Sequence, residues 1–198
     1  MSISSPSSRQ FRHVPTQIFH PLYSVRSTGQ LVFRNQLARD VACLLDVDAT
    51  VVTWSCKSMS FAVDGEVYRP DFVVERDDGI LVIDVRDGGE RPVWLAEVVL
   101  SQGYLFESFD RADVPTIRLR NAKDLLRYAR YDVSLDDRVR LLAALEENGT
   151  LTVAECLPAF KTVPPIAGLA SLILSRFIAV DIDDALIGPE TTVRRHRG

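Results

Sequence analysis

Tyr68-Arg69-Pro70-Asp71-Phe72 opens one apolar run, Ile83-Asp84-Val85-Arg86 closes the next, and Asp77-Asp78-Gly79 lies between them. An Asp-Gly turn between two runs of strand composition predicts a β-hairpin of fixed register. Because side chains alternate across a strand, Asp71 and Asp84 are expected to project from neighbouring strands toward one point. Two such carboxylates can hold a hard divalent cation, which would activate a water and neutralise charge developing on phosphorus. The plainer expectation is a hairpin whose acids pair with Arg69 or Arg86.

Upstream, residues 1–26 are rich in Ser, Pro and Arg and lack periodicity, which predicts an extended arm bearing Arg9, Arg12 and Arg26 and no acid. From Ser27 the pattern turns helical: Leu31, Leu37, Ala38, Val41, Leu44 and Leu45 fall on one face, which Asp46 to Ala49 ends. Strands are predicted at 51–54 and 59–63, with Asp64-Gly65-Glu66 turning into the hairpin. Downstream, Pro92 opens a helix that stops at Gly103. Strands at 104–106 and 116–119 follow, and Asn121 is expected to cap a helix over 122–130.

Around Asp132 the character changes. Leu135, Val139, Leu142 and Leu145 mark a helix stopped by Asn148-Gly149, and Thr152-Val153-Ala154-Glu155 is a capping box for the next. Pro164-Pro165 starts a third helix, followed by an alternating stretch from Ile178 to Ile182. Three helices and a strand pair describe a winged helix. The reading is therefore a basic arm over 1–26, an α/β domain over 27–131 and a small winged-helix domain over 132–198.

With 198 residues, 46% of them hydrophobic, the chain has room for one medium or two small domains. It has no apolar run of membrane-spanning length, and its first residues lack a secretory hydrophobic segment, so a cytoplasmic protein with no membrane partner is expected. Cys43, Cys56 and Cys156 are odd in number and scattered, which argues against a disulfide framework or a zinc site. A net charge of -4 does not exclude nucleic acid, because charge acts locally and both ends are basic, the last as Arg194-Arg195-His196-Arg197.

Phe33-Arg-Asn-Gln-Leu-Ala-Arg-Asp40, Leu44 to Asp48, Tyr68 to Phe72, Gly79 to Arg86 and Asn121 to Tyr128 occur in an order that resembles the TnsA family, the endonuclease subunit of heteromeric transposases. The match runs from about Gly29 to Val193. It implies an α/β chain: a restriction-endonuclease-like domain, with a central mixed sheet flanked by helices, and then a winged helix. It also implies an Mg2+- or Mn2+-dependent cut at transposon ends, made with a Glu, an Asp, a further acid or Gln, and a Lys.

Carried over by position, Asp71 and Asp84 are the catalytic and metal-binding acids, Arg86 stands at the usual Lys, and Ala38 replaces the helix-borne Glu. Lys57-Ser58 stand where the family usually has Gln-Pro; Arg9, Arg12, Arg26, Lys57 and Arg69 are the candidate DNA contacts. Losing the Glu removes an oxygen from a shell with few protein ligands. Arg86 can clamp a phosphate, but guanidinium is a poor base. Glu97 and Glu75 are the acids that could substitute for the missing Glu.

The third C-terminal helix offers Ala167, Gly168, Ala170 and Ser171 and only Arg176 for reading bases, its small residues would permit close approach by another helix or strand, and residues from Asp132 onward include 7 basic and 10 acidic side chains. Docking to a protein is the expectation for that domain, with the transposase and ATPase subunits as partners beside DNA. The resulting reading is a TnsA-like, DNA-associated protein with reduced or lost cleavage. An active Mg2+-dependent endonuclease and an interaction scaffold that does not touch DNA are the alternatives.

Overall fold

Asn35 accepts a hydrogen bond from the Ala38 amide (2.9 Å) and so starts the helix that organises the first half of the chain. In the computed structural model, which describes residues 18–88 and 91–196, this helix follows strand β1 (Ser27–Thr28) and is α1 (Gln36–Val47). Leu31, read as part of the helix, lies in the loop before it and packs on the same core. The strands that follow are β2 (Val51–Cys56), β3 (Phe61–Val63), β4 (Glu66–Tyr68), β5 (Phe72–Arg76) and β6 (Gly79–Arg86). Next come α2 (Leu95–Ser101), β7 (Leu105–Asp110) and α3 (Thr116–Leu126).

Five strands form a mixed sheet in the order β1-β2-β5-β6-β7. The outer pairs β1–β2 and β6–β7 are parallel, with α1 and α2 as their crossovers, and the inner pairs are antiparallel. One face buries Trp54, Phe72, Val74, Leu81, Ile83 and Val85 against Leu37, Val41 and Leu45 of α1. The Trp54 and Phe72 rings meet edge to face at 5.5 Å. Val82 faces the other way, toward Phe61 and toward Leu95 and Val99 of α2.

The predicted strand at 116–119 is instead the first turn of α3. Thr-Ile-Arg-Leu alternates like a strand, but Leu119 N–H already donates to the Pro115 carbonyl (2.9 Å). Asn121 does not cap this helix. It lies buried within it, and its amide donates to the Ile182 and Ala185 carbonyls while its oxygen accepts from Ile187 N–H.

The remainder comprises α4 (Leu135–Asn148), β8 (Thr150–Thr152), α5 (Val153–Cys156), a 3-10 turn over Leu157–Ala159, α6 (Pro165–Leu174), β9 (Ile178–Val180) and β10 (Thr192–Arg195). Its antiparallel sheet has the order β8-β10-β9, and both hydrogen bonds of the expected capping box at Thr152 and Glu155 are present. A boundary at 131/132 separates the two sheets but not the cores: Cys43 of α1, Ala122, Leu125 and Leu126 of α3, and Ala170 and Leu174 of α6 share one buried cluster.

That cluster corrects the reading of the small residues on α6. Ala167, Gly168 and Ala170 are buried by the chain itself, and Ser171 donates to the Tyr131 carbonyl. Their size permits close approach by α3 and by Phe160 rather than by an external partner. Among the described residues no helix is long and apolar enough to cross a membrane.

Candidate functional site: an acid pair held by Arg34

Phe72 pairs with Ile83 across the β5–β6 ladder, so Asp71 and Asp84 are the next opposed pair at the end of the hairpin. Both side chains are buried, at 2% and 1% exposure. Like charges set directly opposite destabilise a sheet unless something neutralises them. Here that is Arg34, in the loop just before the Asn35 cap. Its Nε lies 3.1 Å from Asp71 Oδ1 and its Nη2 3.8 Å from Asp84 Oδ1.

The guanidinium is fixed on its other edges as well. Nη1 donates to the Tyr68 hydroxyl (2.9 Å) and Nη2 to the Arg69 carbonyl (3.1 Å). The Tyr68 hydroxyl donates to Asp84 Oδ1 (3.0 Å), and Val85 N–H donates to Asp71 Oδ2 (2.9 Å). Two carboxylate oxygens, Asp71 Oδ1 and Asp84 Oδ2, are buried without a hydrogen bond. The Arg34 contact to Asp71 Oδ1 is therefore one of charge rather than of aligned hydrogen bonding.

Burial raises the Asp71 carboxyl above its usual range, although Val85 N–H and Arg34 pull it down and Asp84 adds to the rise. Burial likewise raises Asp84, against the Tyr68 hydrogen bond and the charges of Arg34, Arg91 and Arg86. Desolvation opposes the charge on Arg34, but Tyr68, Asp71 and Asp84 more than compensate and its pKa is raised. The three groups form one coupled unit.

The other candidates are dispersed. Arg86 pairs with Asp110 of the neighbouring strand (2.8 Å), both half exposed, a contact of the kind worth at most about 1 kcal/mol. Arg69 is exposed, and the acids pair with neither it nor Arg86 but with Arg34. Lys57 sits at φ 46° just after β2, its N–H donating to the Asp71 carbonyl (3.0 Å). Ala38 is buried in the core with Phe72, Ile83 and Val85.

Arg26 is used inside the protein, donating to the Asp46 carbonyl (3.1 Å) and the Leu174 carbonyl (3.1 Å). Glu75 lies at the far end of β5 and accepts from Thr53, and Glu97 is exposed on α2. Arg9 and Arg12 lie outside the described residues.

Sequence reasoning missed Arg34, Tyr68 and Arg91. Arg34 lies in the loop before the Asn35 cap, outside the helical periodicity, so no spacing in the sequence ties it to the acids. Arg91 lies over the Phe106 ring (5.2 Å), and its charge acts on Asp84.

The resemblance implies Mg2+ here, and the donor set can be tested against it. Mg2+ takes one or two carboxylates and keeps water on its other octahedral positions, about 2 Å away. Both acids are present, but a guanidinium anchored on several sides lies against them, Ala38 offers no oxygen, and no third His, Cys, Asp or Glu joins them among the described residues. As arranged, these residues fit the cation they already have and do not fit hydrated Mg2+. No protein-family model matches the chain, and no curated protein matches it.

Proposed function

We propose that this chain is a TnsA-like, DNA-associated protein of a transposition system that has lost most or all of its endonuclease activity. The observation that carries the reading is the Asp71–Arg34–Asp84 unit: acids at the two nuclease positions of the hairpin, with a fixed positive charge against both of them. Hydrolysis of a phosphodiester needs a positioned water and a group to take its proton. The pKa of Arg34 is raised further by its contacts, and a guanidinium is a poor proton acceptor, so the arginine against the acids cannot serve as that base.

The order α1-β2-β5-β6-α2-β7 supports a restriction-endonuclease-like domain, and α4-β8-α5-α6-β9-β10 with sheet order β8-β10-β9 supports a winged helix. Exposed Arg69 and partly exposed Lys57, near the acid pair, are candidate contacts to a DNA backbone, and each would act as a phosphate contact without base preference. The transposase and ATPase subunits are the proposed protein partners.

Supercoiled DNA incubated with the purified protein and Mg2+ or Mn2+, with and without the transposase, tests the reading. Retention of DNA that weakens with salt, with no nicking, is expected. Nicking that disappears in Asp71→Ala overturns it in favour of the active endonuclease. Failure to retain DNA at any salt concentration favours the scaffold alternative, which the internal use of Arg26 also supports.

A further inference from the structure

We infer that Arg34 is the resident cation of the Asp71–Asp84 pair: it takes the place of a divalent ion there, so that the protein engages its ligand without metal. The inference deepens the reading above, on which it rests only for the choice of the ion excluded. Three observations carry it. The pair is buried to 1–2% exposure, so two unneutralised carboxylates there would be costly. Arg34 meets both acids and is anchored by Tyr68 and the Arg69 carbonyl, so its position does not depend on the acids alone. Asp71 Oδ1 and Asp84 Oδ2 nonetheless keep unused acceptor capacity, so the pair retains oxygens for an ion once the guanidinium is gone.

Arg34 is thus a positioning residue with two faces. Its nitrogens face the acids, Tyr68 and the Arg69 carbonyl, while about a third of its side chain is exposed, so its charge lies close to the surface at the rim of the hairpin. A phosphate approaching that rim would meet a guanidinium where the metal-dependent arrangement presents an ion and its waters.

Mn2+ binding followed by electron paramagnetic resonance, with the full chain and no DNA, tests this independently of any DNA association. Wild-type protein is expected to show no Asp71-dependent Mn2+ site up to about millimolar ion, whereas Arg34→Ala gains one site, at least roughly tenfold tighter, that Asp71→Asn removes again. Circular dichroism establishes that the variants are folded, and Arg34→Gln, which keeps donors without charge, is the second form. An Asp71-dependent Mn2+ site in wild-type protein overturns the inference, as does a folded Arg34→Ala that gains none. If neither Arg34 variant folds, wild type against Asp71→Asn decides: equal Mn2+ uptake supports the inference, and greater uptake by wild type overturns it.

Discussion

Arg176, two residues past the end of α6, donates through Nη2 to the carbonyl of Asp48, the residue that closes α1 (2.6 Å). The same nitrogen reaches the Val51 carbonyl (2.7 Å), while Arg26 runs the other way to the Leu174 carbonyl. Two arginines thus stitch the five-stranded sheet to the three-stranded one through main-chain acceptors.

Arg176→Ala leaves two carbonyls without their charged donor, a loss that commonly costs about 1.5 to 3 kcal/mol per hydrogen bond when buried. Part is offset, because Arg26, whose pKa is lowered by burial and then by the nearby Arg176 charge, is relieved of repulsion. A net destabilisation of about 2 kcal/mol is expected. Chemical denaturation checks it.

The acid pair sets a pH dependence. Asp71 and Asp84 have raised carboxyl pKa values, so the folded state holds their protons more tightly than the unfolded chain does. Their stabilising contribution is full below the ordinary carboxylate value of about 4 and is lost as pH rises through the raised folded value. Asp71→Asn and Asp84→Asn should each flatten that decline in melts followed by circular dichroism across the acidic range.

Asp137 on α4 behaves oppositely. Its side chain is fully buried; desolvation works to raise its pKa, but the Thr162 hydroxyl, the Lys161 and Thr162 N–H groups and Arg140 hold the carboxyl well below its usual range. Its contribution is present above the unfolded pKa and is lost as pH falls toward the folded value. Asp137→Asn should lower the melting temperature at neutral pH and make the acid-side loss shallower, which the same melts will show.

Gly168 in α6 faces Phe160. A methyl group there would lie 2.4 Å from one ring carbon, 2.5 Å from the next and 2.9 Å from Val163. Helix propensity favours alanine by about 1 kcal/mol, whereas overpacking costs about 1 to 3 kcal/mol. Gly168→Ala is expected to be destabilising on balance, and a double-mutant cycle with Phe160→Leu should recover part of the loss.

What could be read in the chain was what local pattern dictates. The Asp77–Asp78 turn, the apolar faces of β5 and β6, the capping box at Thr152 and the positive-φ stop at Gly149 were all visible in spacing and residue type. What could not be read depends on distant partners. Asn121 looks like a cap until the segment from Ile182 to Ile187 folds over it, and Thr116–Leu119 looks like a strand until Ala122, Leu125 and Leu126 find Ala170 and Leu174. The opposition of Asp71 and Asp84 was readable; the guanidinium between them, brought in from another loop, was not.

The segment before α1 is bound by side chains that follow it in the chain. Asp46 accepts from Ser24 and from the Val25 and Arg26 N–H groups, buried Arg39 donates to the Pro21 and Tyr23 carbonyls, and β1 lies beside β2. During synthesis on the ribosome this stretch emerges before its anchors on α1 and β2, so it takes its place only after they have followed it.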